Sequence, residues 1–199
     1  VIAKEGLGII ATYATFIGEF YLGLAILWTM IFFASFSVLK GKAWTLVGNV
    51  KDAILVAFST STSEAAYPRV LEELESFGCS NKIVSFVLPL GYSFNLVGSM
   101  IYMTFGSLFL AQAYGIHLGF GQQLSMLLVL MLTSKGMAGV SRAALVVIAG
   151  TISMFNIPEV GIALLLGIDP IMDMGRSATN VLGNTLATAV VSKWEGELN

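Results

Sequence analysis

The sequence predicts an all-α membrane protein made of spanning helices and two re-entrant helical hairpins. Three observations carry that prediction. Charged residues make up 11% of the 199 residues, where soluble domains carry about 25%. Hydrophobic residues reach 56%, and mean hydropathy is +0.85. Positions 83–134 hold no Asp, Glu, Lys or Arg at all. Ten basic and twelve acidic residues cannot give a soluble fold of this length its polar skin. An ordinary soluble domain, a disordered chain and a disulfide scaffold are thereby excluded. The net charge of -2 argues against a nucleic-acid partner. The single cysteine, Cys79, excludes an internal disulfide and a cysteine-built metal site. Val1 opens inside an apolar pattern with no secretory signal, so the chain reads as the later part of a longer membrane protein.

The elements follow in order. Positions 20–39 are free of charge, between Glu19 and Lys40. About 20 residues at about 1.5 Å each cross a ~30 Å hydrocarbon core. A start near Leu7 makes this a long, tilted spanning helix over 7–39. Lys40, Lys42 and Lys51 follow it, which suggests a cytoplasmic end. Positions 43–77 hold two short helices around a hydroxyl-rich tip, Ser59-Thr60-Ser61-Thr62-Ser63-Glu64. Such a tip is tolerated at membrane depth only where protein or water covers it. A spanning helix over 80–114 is interrupted by Pro89, Gly91, Asn95, Gly98 and Gly106. The run 93–99 predicts an unwound segment whose freed carbonyls can coordinate a cation. The alternative is a glycine-softened kink. Positions 121–156 form a second helix-tip-helix unit around Ser134, Lys135, Gly136, Met137, Ala138, Gly139, Val140, Ser141 and Arg142. Two interrupted units at corresponding positions point to a transporter site at the bilayer midplane.

The final helix, placed over 158–195, carries the chemistry. Asp173, Arg176, Ser177, Asn180 and Asn184 recur at spacings that put them on one helical face. Ionisable groups in a membrane segment are costly and line a bundle interior or an ion path. Arg176 stays charged and offers a planar fork that matches a carboxylate. Its plainer role is a structural pair with Asp173 at i-3. Asn180 and Asn184 suit a substrate carboxylate, a cation or an interhelical hydrogen bond. Ser61, Thr62 and Ser63 could meet an anion at a helix N-terminus or simply cap it. Arg142 could pair with Asp173 or Glu64, or face water. His117 reads as a solvated loop residue, and the nine methionines as packing. No phosphate loop, metal-ligand cluster or nucleophile triad is present, so nothing supports an enzyme or a cofactor.

These pieces resemble the C-terminal part of the dicarboxylate/amino acid:cation symporter family, and within it the bacterial four-carbon dicarboxylate transporters. The matching segments are Thr60-Ser61-Thr62-Ser63-Glu64-Ala65-Ala66-Tyr67-Pro68, Gly91-Tyr92-Ser93-Phe94-Asn95-Leu96, Ser134-Lys135-Gly136-Met137-Ala138-Gly139-Val140, and Gly167-Ile168-Asp169 through Arg176, Asn180, Gly183 and Asn184. They stand in the family's order over roughly 20–197.

The resemblance implies a partial transport domain of an elevator-type homotrimer in the bacterial inner membrane, with its scaffold upstream. It implies a substrate site of Arg176, Asp173, Ser177, Asn180, Ser61, Thr62, Ser63 and Gly139. Cations would meet Asn95, Ser93, Asn184 and Ser99. Gly136, Met137, Ala138, Gly139 and Val140 would form the gate. Two departures bear on coupling: Val97 and Asn184 stand where sodium-coupled glutamate transporters carry Asp, and each removes a hard anionic oxygen. Sodium through backbone carbonyls, or protons on Asp173 or Glu64, then become the candidate coupling ions. Arg142 replaces a small residue common in the second hairpin. The expected activity is symport of succinate, fumarate, malate or aspartate with sodium or a proton. The alternatives are an acidic amino acid symporter, an anion channel and a substrate-sensing membrane partner.

Overall fold

The computed structural model describes residues 8–135 and 142–199. Helices account for every named element among these residues, and the one β-bridge pairs Cys79 with Leu198. Helix α1 runs over Gly8–Leu39. Its 32 residues extend about 48 Å, well beyond a ~30 Å apolar core. Leu22, Ile26, Met30 and Phe33 are exposed along one side, while Phe16, Phe20 and Leu24 turn inward.

Lys40 in a left-handed conformation (φ 54°) turns the chain into α2, Lys42–Thr60. Ala43, Leu46, Val50, Ala53 and Ala57 recur every three or four residues and are all buried. Ser61, also left-handed at φ 54°, ends the helix. A short 3-10 turn over Glu64–Ala66 leads to α3, Tyr67–Ser76, with Pro68 in its first turn where no amide hydrogen is needed. Helices α2 and α3 form a hairpin. Its base is held by the C-terminal strand-like segment, where Ser80 N donates to Glu197 O at 3.0 Å and Asn199 N to Gly78 O at 3.0 Å.

Helix α4, Asn81–Phe94, and helix α5, Val97–Ala113, follow one another with a break between them. The sequence pattern predicts disruption across 93–99. The structure narrows it: only Asn95 (φ -109°, ψ 58°) and Leu96 (φ -94°, ψ 61°) leave helical geometry. Ser93 stays in α4, and Ser99 lies in the first turn of α5. Glycine at 98 therefore serves a close approach and not an unwound backbone, as shown below.

Helices α6, Phe120–Thr133, and α7, Ala143–Ile152, pack as a second hairpin. Their 14 and 10 residues extend about 21 and 15 Å. The expected gate residues Gly136, Met137, Ala138, Gly139 and Val140 lie outside the described residues. After Pro158 the chain does not enter a long helix directly. A 3-10 turn, Glu159–Gly161, and a short α8, Ile162–Leu166, come first, and α9 then runs over Asp169–Trp194.

Two apolar cores result. One joins α2, α3, α4 and the C-terminal half of α9 through Leu46, Val50, Val70, Leu74, Leu88 and Leu186. The other joins α1, α5, α6, α7 and the start of α9 through Phe20, Tyr102, Met126, Leu130, Ile148 and Met172. They meet where α4 gives way to α5. Helix α9 threads both and is enclosed on every side: residues 175–186 are all buried. Stretches Gly8–Leu39 and Asn81–Ala113 are long and apolar enough to cross a membrane. The polar α9 has its cover supplied by the other helices.

Candidate functional site

The polar centre forms where α9 passes the α4–α5 break. Arg176 and Asp173 stand one helical turn apart, with side-chain exposures of 0% and 1% and Arg176 Nε 2.6 Å from Asp173 Oδ1. Two opposite charges this close neutralise one another in a low-dielectric interior. A second carboxylate, Asp169, is one turn earlier and equally buried. Its Oδ1 accepts a hydrogen bond from the Tyr102 hydroxyl at 2.6 Å.

Backbone proximity is what lets α5 reach α9. A Cβ on Gly98 would collide with the carbonyl oxygen of Arg176 and come within 2.8 Å of Thr179 Cβ. With only a hydrogen there, the amides of Gly98 and Ser99 donate to Asn180 Oδ1 at 2.9 and 3.4 Å. These are N-terminal amides of α5, which have no partner within their own helix. The Ser99 hydroxyl completes the patch. It accepts from Asn180 Nδ2 at 3.0 Å and from Arg176 Nη1 at 3.2 Å. Thus Asn180 caps α5, and Ser99 steers the guanidinium.

The break itself is tied to α9 one turn further on. Asn95 Nδ2 donates to Asn184 Oδ1 at 3.0 Å. Gly91 permits this, since a Cβ there would lie 2.8 Å from the same oxygen. On the far side of α9, Trp28 Nε1 donates to Thr179 Oγ1 at 2.7 Å, and Tyr21 OH donates to Ile171 O at 2.7 Å. Both residues belong to α1, so the long helix braces the back of the site.

Two buried uncharged side chains on α9 carry an open polar group among the described residues, in addition to the carboxylate oxygen Asp169 Oδ2. Among the described residues, the Ser177 hydroxyl and Asn184 Nδ2 have no hydrogen-bond partner. They are seven positions apart and so share a helix face. Buried polar groups are ordinarily satisfied, and a site that takes up a polar ligand leaves some open.

The second hairpin meets this centre through Arg142. Its backbone N–H donates to Asp173 Oδ2 at 2.7 Å, and its Nε lies 3.9 Å from Asp169 Oδ2. Of the outcomes open to Arg142 from sequence, the structure shows contact with Asp173, made by the backbone N–H, and a largely exposed guanidinium; Asp169 was not among the expected partners.

Among the expected site residues, the structure brings Asp173, Arg176, Asn180 and Ser99 into one network, and Asn95 and Asn184 into the adjoining pair. Ser93 has an exposed side chain on α4. Ser61, Thr62 and Ser63 occupy the first hairpin's tip, where Ser63 is buried and Thr62 O accepts from Thr60 Oγ1 at 3.3 Å. Gly139 lies outside the described residues. Tyr102 and Asp169 also belong to this centre; Asp169 stands in the polar run of the final helix but was given no role from sequence, and Tyr102 was not selected. The available signal was spacing: Tyr102 is three residues from Ser99, and Asp169 four from Asp173, so each shares its partner's face.

An arginine and two carboxylates enclosed by apolar helices, beside an interrupted helix, define a helical membrane protein with a polar centre in its interior. The sodium:dicarboxylate symporter family matches residues 1–194, and the chain belongs to that family. It is 44% identical over its whole length to the proton/sodium-glutamate symport protein of Bacillus subtilis, of which it covers 46%. It is 47% identical over 86% of its length to the protein of the same name from Geobacillus stearothermophilus, covering 42% of it. It is 43% identical over its whole length to the C4-dicarboxylate transport protein of Agrobacterium fabrum, covering 44% of it. The chain therefore spans a little under half the length of these relatives. The family and its named members are transporters and not enzymes. Membership makes this an integral membrane chain.

Proposed function

We propose that this chain is the substrate-binding part of a secondary active symporter that imports four-carbon dicarboxylates such as succinate, fumarate and malate, with aspartate, across the bacterial plasma membrane. The observation that carries this reading is Arg176, wholly buried and neutralised by Asp173. A cation held at its Nε by Asp173 can still turn its Nη groups to a substrate carboxylate, so it never stands alone in the apolar interior. The open hydroxyl of Ser177 and amide of Asn184 supply further polar contacts.

In this reading the two hairpins are re-entrant, and their tips at Ser61, Thr62 and Ser63 and at 136–140 hold and cover the second carboxylate. Asn95, Ser93, Ser99 and Asn184 serve the coupling cation. The moving unit works as an elevator against an upstream scaffold, within a homotrimer. Sodium or a proton couples uptake, because the closed state is reached only when both cargoes are bound. Relatives named as glutamate symporters keep acidic amino acids as the second substrate class.

The test is uptake of labelled succinate into proteoliposomes holding the full-length protein, with an imposed sodium gradient compared against an imposed proton gradient. Accumulation against the succinate gradient under either one supports the reading. Uptake of glutamate alone moves the protein to the amino acid class. Passive equilibration without accumulation makes it a channel.

A further inference from the structure

Arg142 combines three features that a structural arginine does not need. It is a bulky residue in the left-handed conformation, φ 65° and ψ 0°, immediately before α7. A non-glycine side chain there carries a backbone strain cost. Its backbone is nonetheless anchored, by the 2.7 Å hydrogen bond to Asp173 Oδ2. Among the described residues its guanidinium makes one long ion pair and no close one. It remains 68% exposed, and its nearest carboxylate oxygen, Asp169 Oδ2, is 3.9 Å away, beyond hydrogen-bond reach. That oxygen is buried and accepts no hydrogen bond among the described residues.

The same contacts occupy Asp173 from both sides. Arg176 Nε takes Oδ1 at 2.6 Å, and the Arg142 backbone takes Oδ2 at 2.7 Å. One carboxylate thus separates a buried guanidinium from the residue carrying an exposed one. An α-ammonium group entering here would have to displace one of those contacts to reach Asp173. It would also meet two cations.

We propose that the Arg142 guanidinium is a second carboxylate-recognising group of this site, which with the occupied Asp173 selects dicarboxylates lacking an amino group over acidic amino acids. The proposal rests on the acidic-substrate reading above and narrows it. Arg176 takes one carboxylate and Arg142 the other. An amino diacid carries one net negative charge instead of two, so it gains less from the second cation.

The experiment is succinate and L-aspartate binding, by isothermal titration of the detergent-solubilised full-length protein, for the parent, Arg142→Gly and Arg142→Lys. Glycine suits the left-handed backbone and keeps the N–H that bonds Asp173, so the ligand-free melting temperature should hold. Succinate binding should weaken on the order of tenfold or more in Arg142→Gly. L-aspartate binding should weaken by less than about threefold, and Arg142→Lys should recover part of the succinate loss. Equal weakening of both ligands, or no weakening of succinate, overturns the proposal. A parent protein that binds neither ligand overturns instead the acidic-substrate reading, and this selectivity with it.

Discussion

Asp173 and Arg176 face one another at 2.6 Å along a single helix, and neither is accessible to solvent. Removing one member of such a pair leaves the other charged and uncompensated in an apolar interior. That costs about 3–5 kcal/mol. Arg176→Gln in the full-length protein should therefore lower the melting temperature in detergent and abolish saturable succinate uptake. An unchanged melting temperature together with normal uptake would contradict both assignments.

Gly98 is held by geometry and not by flexibility. An added Cβ would strike the Arg176 carbonyl and crowd Thr179 Cβ, and the first of these is backbone that cannot rotate away. Gly98→Ala should separate α5 from α9, weaken the Asn180 cap and destabilise the protein by about 1–3 kcal/mol. Gly121→Ala, where nothing lies within 4 Å, is the matched control and should melt like the parent. Equal melting temperatures for both variants would rule out the close approach.

Tyr102 satisfies one oxygen of buried Asp169 at 2.6 Å. Tyr102→Phe keeps the packing in the second core and removes only that donor. The cost should be about 1–3 kcal/mol, read as a lower melting temperature. A Phe variant as stable as the parent would mean that the hydrogen bond contributes nothing net.

Asn184→Asp tests the cation assignment. The substitution keeps an acceptor for Asn95 Nδ2, at 3.0 Å in the parent, and replaces an open amide with an anionic oxygen. Hard cations bind carboxylate oxygen more strongly than amide. The sodium concentration for half-maximal succinate uptake should fall by about tenfold, equivalent to about 1.4 kcal/mol. No change in sodium dependence would remove position 184 from the cation path.

Cys79 lies outside the spanning helices, 4% exposed, where the C-terminal segment closes over the first hairpin. Burial pushes its thiol pKa up, and the Ser192 contact and Lys42 charge offset this only in part. A raised value means the folded protein keeps the neutral thiol to higher pH than the unfolded chain does. Its contribution to stability is present below the unfolded pKa and is lost as pH rises through the folded one. Since the thiolate is the reactive form, iodoacetamide at pH 8 should label Cys79 slowly in the folded protein and rapidly after denaturation. Fast labelling of the folded protein would show that the clasp opens.

Several features were legible without a structure because they are local. Scarce charge sets the solvent class. The charge-free stretch 83–134 with Pro89 and Asn95 announces an interrupted helix. Spacing along 173–184 places five polar residues on one face through helix geometry alone. Spacing also relates Tyr102 to Ser99 and Asp169 to Asp173, because residues three or four apart share a helix face.

Other features depend on packing between distant segments, and no periodicity encodes them. The expectation of a broad unwound segment at 93–99 gave way to a two-residue break, because Asn180, more than 80 positions away, caps the amides of Gly98 and Ser99. Helix α9 carries its polar side in the interior because α1, α2, α4 and α5 enclose it all round. Arg142 reaches Asp173 only because the second hairpin packs against α5, which itself lies beside α9. The sequence by itself determined the solvent class, the helical elements and the polar face. Tertiary structure decided which partner each buried charge has, because electrostatic pairing falls off within a few ångströms and only packing sets distances that short.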